Sequence, residues 1–359
     1  MPPNLESNPI LGVLAGHTVT PQPVWLMRQA GRHLPEYLKV RATTPDFISF
    51  CFDPPKAAEV TLQPVRRYDM DAAILFADIL LVPTALGRDV RFVKGKGPVL
   101  DPMAPEDVAK LTLDGSAGRL SPVYETVRRV RAELSDTKAL IGFAGGPWTV
   151  ATYMLEGGGS PTKERAKTFA YVHAAETDQL LATLADTTAA YLVEQARAGA
   201  QVLKIFESWA EGLSPAQFDR LVIDPTARIV RAIRASGVSV PIIGFPRGGG
   251  LKIIDYVANT GVDALALGTE VPFAMARAAL PGVPLQGNLD PLALRIGGEP
   301  LRRAVDAVLA ASSGPHIFNL GHGVSPDVKI ANVHAVIDHI RGKEPNYVPG
   351  ALMEELPSV

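Results

Sequence analysis

The chain has 359 residues, 47% of them hydrophobic and 20% charged, a balance that supports an ordinary packed core and excludes a disordered or fibrous protein. Its net charge of -2 gives no global positive field for nucleic acid or an anionic membrane, so any anion site must be local. With one cysteine, Cys51, and 7 scattered histidines there is no CxxC or HxxxH ligand pair; neither a disulfide nor a metal site is expected, and a reducing cytoplasm suits the chain best.

Residues from about 1 to 20 read as a short N-terminal extension without the basic start of a signal peptide. The first strand is predicted at PVWLM (23–27). Directly after it comes Met27-Arg28-Gln29-Ala30-Gly31-Arg32-His33-Leu34-Pro35-Glu36-Tyr37, with Arg41 beyond. If this segment is a helical turn, Arg28 and Arg32 share a face and form a clamp for carboxylate or phosphate. The competing role for these arginines is solvation or pairing with Glu36.

The second strand is predicted at AAILF (72–76). It opens the longest apolar stretch, 72–86, which Asp78 and Pro83 interrupt, so no membrane span is expected. Asp78 is a lone carboxylate at an apolar strand end. It must meet a ligand, a partner or water, or cap a helix.

ALIGFA (139–144) is the third strand, and Gly145-Gly146-Pro147 after it suits a helix start that places Tyr153 near the second turn. EGGGSP (156–161) reads as a mobile loop inside one domain, and the periodicity then predicts a helix over 163–197. The fourth strand, QVLKIF (201–206), contains Lys204, a Schiff-base candidate with nothing evident to lower its pKa. It ends in Phe206-Glu207-Ser208-Trp209, where Ser208 lacks an adjacent base and suits hydrogen bonding to a ligand.

A helix over 214–235 precedes the fifth strand, VPIIGF (240–245), and Arg247-Gly248-Gly249-Gly250 offers backbone N–H groups to an anion. Strands at VDALAL (262–267), VPLQG (283–287) and HIFNL (316–320) follow, with helices over 301–311 and 327–341. His322, between Gly321 and Gly323, is sterically open to a ligand. A C-terminal tail occupies about 343–359.

About eight near-continuous apolar strands alternating with helices predict an α/β fold, a single (β/α)8 barrel spanning 1–359, with a doubly wound sheet as the competitor. No Gly-rich dinucleotide turn follows the first strand. Arg28, Asp78, Gly145, Ser208, Arg247, Thr269, Asn288 and His322 each follow a strand, which puts them on the C-terminal rim of a barrel.

Taken in order, WLMRQAGRHLPEY, ILFADIL, GGPWTVATYMLEGGGS, FES and FNLGHGV resemble the successive blocks of the uroporphyrinogen decarboxylase family, over nearly the whole chain. The resemblance implies a barrel, a homodimer, no cofactor, and conversion of the four acetate side chains of uroporphyrinogen III to methyls. It assigns substrate contacts to Arg28, Arg32, Arg41, Asp78, Tyr153, Ser208 and His322, and catalysis to Asp78, Arg28, Tyr153 and His322. His33 departs from a common tyrosine and Trp209 from a frequent histidine. The proton donor stays open between Tyr153, His322 and a carboxyl or water held by Arg28. A zinc methyltransferase related to the same superfamily and a non-catalytic tetrapyrrole-binding barrel are the alternatives.

Overall fold

A computed structural model describes residues 7–112 and 115–349. Seven parallel strands form one sheet: β1 (Ala72–Ile74), β4 (Ala139–Gly145), β5 (Val202–Glu207), β6 (Ile242–Pro246), β7 (Ala264–Ala266), β8 (Leu285–Leu289) and β9 (His316–Leu320), neighbours in that order. Between β1 and β4 lies a separate hairpin, β2 (Arg91–Val93) with β3 (Gly97–Val99). Each step along the sheet is made through helical connections, and the strands are buried on both faces, which explains their largely apolar character.

The predicted first strand, 23–27, is reduced to a single parallel bridge between Val24 and Phe318 of β9. Side chains take the place of a backbone ladder here. The N–H groups of Val24, Leu26 and Met27 donate to Asp71 Oδ2 (2.8 Å), Gln29 Oε1 (3.0 Å) and Asn319 Oδ1 (3.0 Å). The segment nevertheless touches both sheet edges: the Phe318 N–H donates to Pro23 O at 2.8 Å, and the Asp71 N–H, just before β1, donates to Val24 O at 2.9 Å.

The other strands fall at their predicted positions, and the helices need more correction. The predicted 163–197 helix is two, Glu164–Val172 and Ala174–Ala198, parted at His173. The 214–235 helix contains a π turn at Asp219–Ile223. Helices Pro35–Arg41, Pro54–Tyr68 and Ser116–Glu133 were not anticipated. In the N-terminal extension, the helix Pro9–Leu14 buries Ile10, Leu11, Val13 and Leu14 in the core. The tail is pinned as far as Pro349 by Asn332 and Lys329, and residues 350–359 lie outside the described residues. None of the described helices is long and apolar enough to cross a membrane.

Candidate active site

Arg28, Asp78, Tyr153, Ser208 and His322 all follow the C-terminal ends of the parallel strands or, for Arg28, the edge segment beside them. The Arg28–Arg32 segment is a turn and not the helical face expected, because Arg28 takes a left-handed backbone (φ 61°) and the helix begins only at Pro35. Gln29 anchors the turn by donating from Nε2 to Ala72 O at 3.0 Å. Gly31 leaves room for the Arg28 carbonyl, which a Cβ would approach to 3.1 Å.

Glu36 does not neutralise these arginines. Its two oxygens accept a bidentate pair from Arg67, at 2.5 and 2.8 Å. Among the described residues, the Arg28 and Arg32 side chains make no hydrogen bond or ion pair with protein, and both are exposed. Arg41 differs, since it donates to Thr44 O (3.0 Å) and Oγ1 (2.8 Å) and so braces its own loop. Its charge and that of Arg32 both act on Tyr37.

Asp78 keeps part of its surface open, yet protein surrounds it closely enough that burial pushes its carboxyl up to about 6. The Leu80 N–H, donating at 2.8 Å, and the Arg28 charge pull in the opposite direction without cancelling burial. Tyr153 lies on the helix Pro147–Glu156, which starts with proline at its first turn as predicted. Burial and the nearby Asp78 carboxylate push its phenol up to about 12. His322 is pushed down to about 4 by burial, then by the charges of Arg28 and Arg247. Its Nδ1 accepts the Gly323 N–H at 2.6 Å, which assigns the ring proton to Nε2. At neutral pH the group therefore holds a free arginine, a carboxylate, a protonated phenol and a neutral imidazole.

Ser208 joins this group through its carbonyl, which accepts from Arg247 Nε at 3.0 Å. The expected anion loop at 247–250 is largely spent: Gly248 N–H donates to Glu270 Oε1 (2.9 Å), Gly249 N–H to Pro246 O (3.0 Å), and Arg247 N–H to Glu207 O (3.1 Å). Nor is the 156–161 loop unanchored, because Gly158 bridges Val99 of the hairpin and Glu156 accepts the Ala166 N–H at 2.9 Å.

One residue passed over in the sequence is Glu207. It is fully buried and receives the N–H groups of Trp148 (3.2 Å) and Thr149 (2.6 Å) together with the Thr149 hydroxyl, capping the helix that carries Tyr153. Burial nonetheless pushes it up to about 8. The sequence shows only a strand-end carboxylate; its partner emerges in the fold, where Gly146, just after β4, sits so close that any Cβ would strike Glu207. Among the described residues, no three His, Cys, Asp or Glu side chains gather as metal ligands, and Cys51 is buried with its thiol pushed upward by burial.

The family model described as "Uroporphyrinogen decarboxylase (URO-D)" matches residues 5–342. The chain belongs to the uroporphyrinogen decarboxylase family. Uroporphyrinogen decarboxylases of Maricaulis maris (strain MCS10) and Caulobacter vibrioides (strain NA1000 / CB15N) are 55% and 54% identical to it, each over 95% of this chain and 99% and 98% of their own lengths. That of Brucella anthropi is 50% identical over 93% of this chain and 98% of its own. Among solved structures, a methyltransferase from Methanosarcina mazei superposes with a TM-score of 0.76 at 18% identity, covering 92% of this chain and 96% of that one, a likeness of fold.

Proposed function

We propose that this protein, like its relatives in name, is a carboxy-lyase that converts the four acetate side chains of uroporphyrinogen III to methyls, releasing carbon dioxide and coproporphyrinogen III. The observation that carries the reading is the meeting of Asp78, Tyr153 and His322 around Arg28, whose guanidinium pairs with none of the described residues.

Each cycle breaks the bond between the acetate methylene and its carboxylate. The electron pair needs an acceptor, and a pyrrole protonated at the ring carbon beside the acetate provides one without an added cofactor. Carbon dioxide leaves and the pair neutralises the cationic ring; the exocyclic methylene then takes a proton while the ring carbon gives its own up, which restores the pyrrole and consumes one proton per carbon dioxide released. Asp78, as a carboxylate facing the pyrrole N–H groups, stabilises the cation. Arg28, Arg32 and Arg41 hold peripheral carboxylates, Arg41 while bracing its loop, and Ser208 and His322 Nε2–H complete the contacts. Tyr153, pushed up to about 12, and a neutral His322 are both reluctant acids at neutral pH, so they serve as hydrogen-bond donors to the substrate, and a substrate carboxyl held by Arg28 delivers the proton.

For the fold, the hydrogen bonds of residues 23–25 to both sheet edges support closure into an eight-stranded barrel, one domain over the chain, and the lone free thiol of Cys51 suits a reducing cytoplasm. A second copy of the chain is the expected partner, with exposed Leu251, Met275 and Leu292, on the connections after β6, β7 and β8, as candidate contact residues; sedimentation tests it.

The activity test is anaerobic incubation with uroporphyrinogen III, then oxidation and separation by carboxyl number. Porphyrins with seven down to four carboxyls are expected. Octacarboxyl material left untouched would overturn the activity and leave a tetrapyrrole-binding barrel.

A further inference from the structure

Trp209 stands where a histidine is frequent, and its surroundings give the indole a definite task. Its ring stacks on Tyr153 with centroids 4.0 Å apart and planes 25° apart. Its backbone N–H donates at 3.1 Å to the hydroxyl of Thr149, one turn before Tyr153 on the same helix. Near the indole, 5.3 Å from its centroid, lies the ammonium of Lys163. That lysine is nearly buried and sits in the left-handed region (φ 54°), which a lysine rarely occupies. An ion pair from its Nζ to Glu211 Oε1, at 2.6 Å, holds it there. Thr149 is fixed in turn by its bonds to buried Glu207.

We propose that Trp209 and Lys163 are positioning residues that clamp the Tyr153 phenol in its working orientation. Ring stacking allows few arrangements of two aromatic planes, and a cation near the indole restricts the tryptophan further. The end of β5 and the loop after the Tyr153 helix are thereby tied to one side chain of the site. Relaxing the clamp leaves Tyr153 in place but loosely aimed, and loose aim costs turnover more than binding.

The test compares Trp209→Ala, Trp209→Phe and Lys163→Met with the wild type, each with its melting temperature. W209A is expected to lower kcat about 10- to 100-fold while KM moves less than about threefold. W209F, which keeps a ring on Tyr153, recovers to within about threefold of the wild type. K163M costs about two- to fivefold in kcat, the worth of one cation–π contact. A folded W209A with kcat within about twofold of the wild type would overturn the clamp, as would W209F losing as much as W209A. If W209A does not fold, W209F and K163M decide: full activity of K163M, or collapse of W209F, counts against it. The inference rests on the decarboxylase reading. An inert wild type sinks that reading, whereas an active wild type with indifferent variants sinks the clamp alone.

Discussion

Arg28 lies across Gly323 so closely that a Cβ on residue 323 would come within 2.7 Å of Arg28 Cγ. The glycine beside His322 thus makes room for the arginine from the opposite end of the sequence. Gly323→Ala is expected to push Arg28 aside and lower kcat/KM about 10- to 100-fold, a loss typical of displaced positioning groups. Its backbone has no positive φ that alanine would strain, so the melting temperature should stay within a few degrees. Steady-state kinetics beside a thermal melt check both halves.

Arg32 and Arg41 should separate in their effects. Arg32 has no hydrogen-bond or ion-pair partner among the described residues, so Arg32→Met is expected to raise KM about tenfold with little change in stability. Arg41 holds Thr44 through two hydrogen bonds, so Arg41→Met should lower the melting temperature as well as raise KM. Equal melting temperatures for the two variants would contradict the division.

The acid limb of kcat/KM should belong to Asp78. A carboxyl pushed up to about 6 is protonated below that pH, and the protonated form cannot stabilise a cation. Activity should therefore fall with decreasing pH, with a midpoint near 6. His322, pushed down to about 4, stays neutral through that range and adds no step. The stability linkage has the opposite sense: a raised folded pKa favours the native state below the unfolded value of 3.8 and loses that contribution as pH rises through 6. Asp78→Asn should then melt higher than the wild type at pH 7, with the difference vanishing near pH 4.

Lys204 carries a different liability. It is fully buried, its Nζ has no hydrogen-bond partner among the described residues, and the rings of Trp25, Phe206 and Phe245 lie 5.1 to 5.3 Å away. Burial pushes its pKa well down, so stability is lost as pH falls below the ordinary lysine value of 10.5. Lys204→Met should stabilise by about 1–3 kcal/mol at pH 7, with the gain shrinking toward pH 10.5, while turnover is retained. Chemical denaturation at the two pH values measures it.

Periodicity located the seven strands because each is a short, largely apolar run buried on both faces, a signal that parallel sheets make strong. It failed at 23–27, where Asp71, Gln29 and Asn319 supply acceptors from their side chains and interrupt the ladder that the apolar run implied. His173 parts the long helix with neither glycine nor proline to announce it. In the site, Asp78 was legible as a carboxylate misplaced among apolar residues. Glu207 was not, because its partner is a helix N-terminus distant in sequence. The freedom of Arg28 depends likewise on Arg67 taking Glu36, a pairing between helices that no spacing rule contains.

In the proposed reaction the Asp78 carboxylate stabilises charge developing on the pyrrole. Asp78→Asn keeps the shape of the side chain and removes the charge, so anaerobic binding of coproporphyrinogen should stay within about threefold of the wild type while kcat for uroporphyrinogen falls at least about 100-fold. An Asp78→Asn protein whose kcat remains within about twofold of the wild type would remove the carboxylate from the charge-stabilising role.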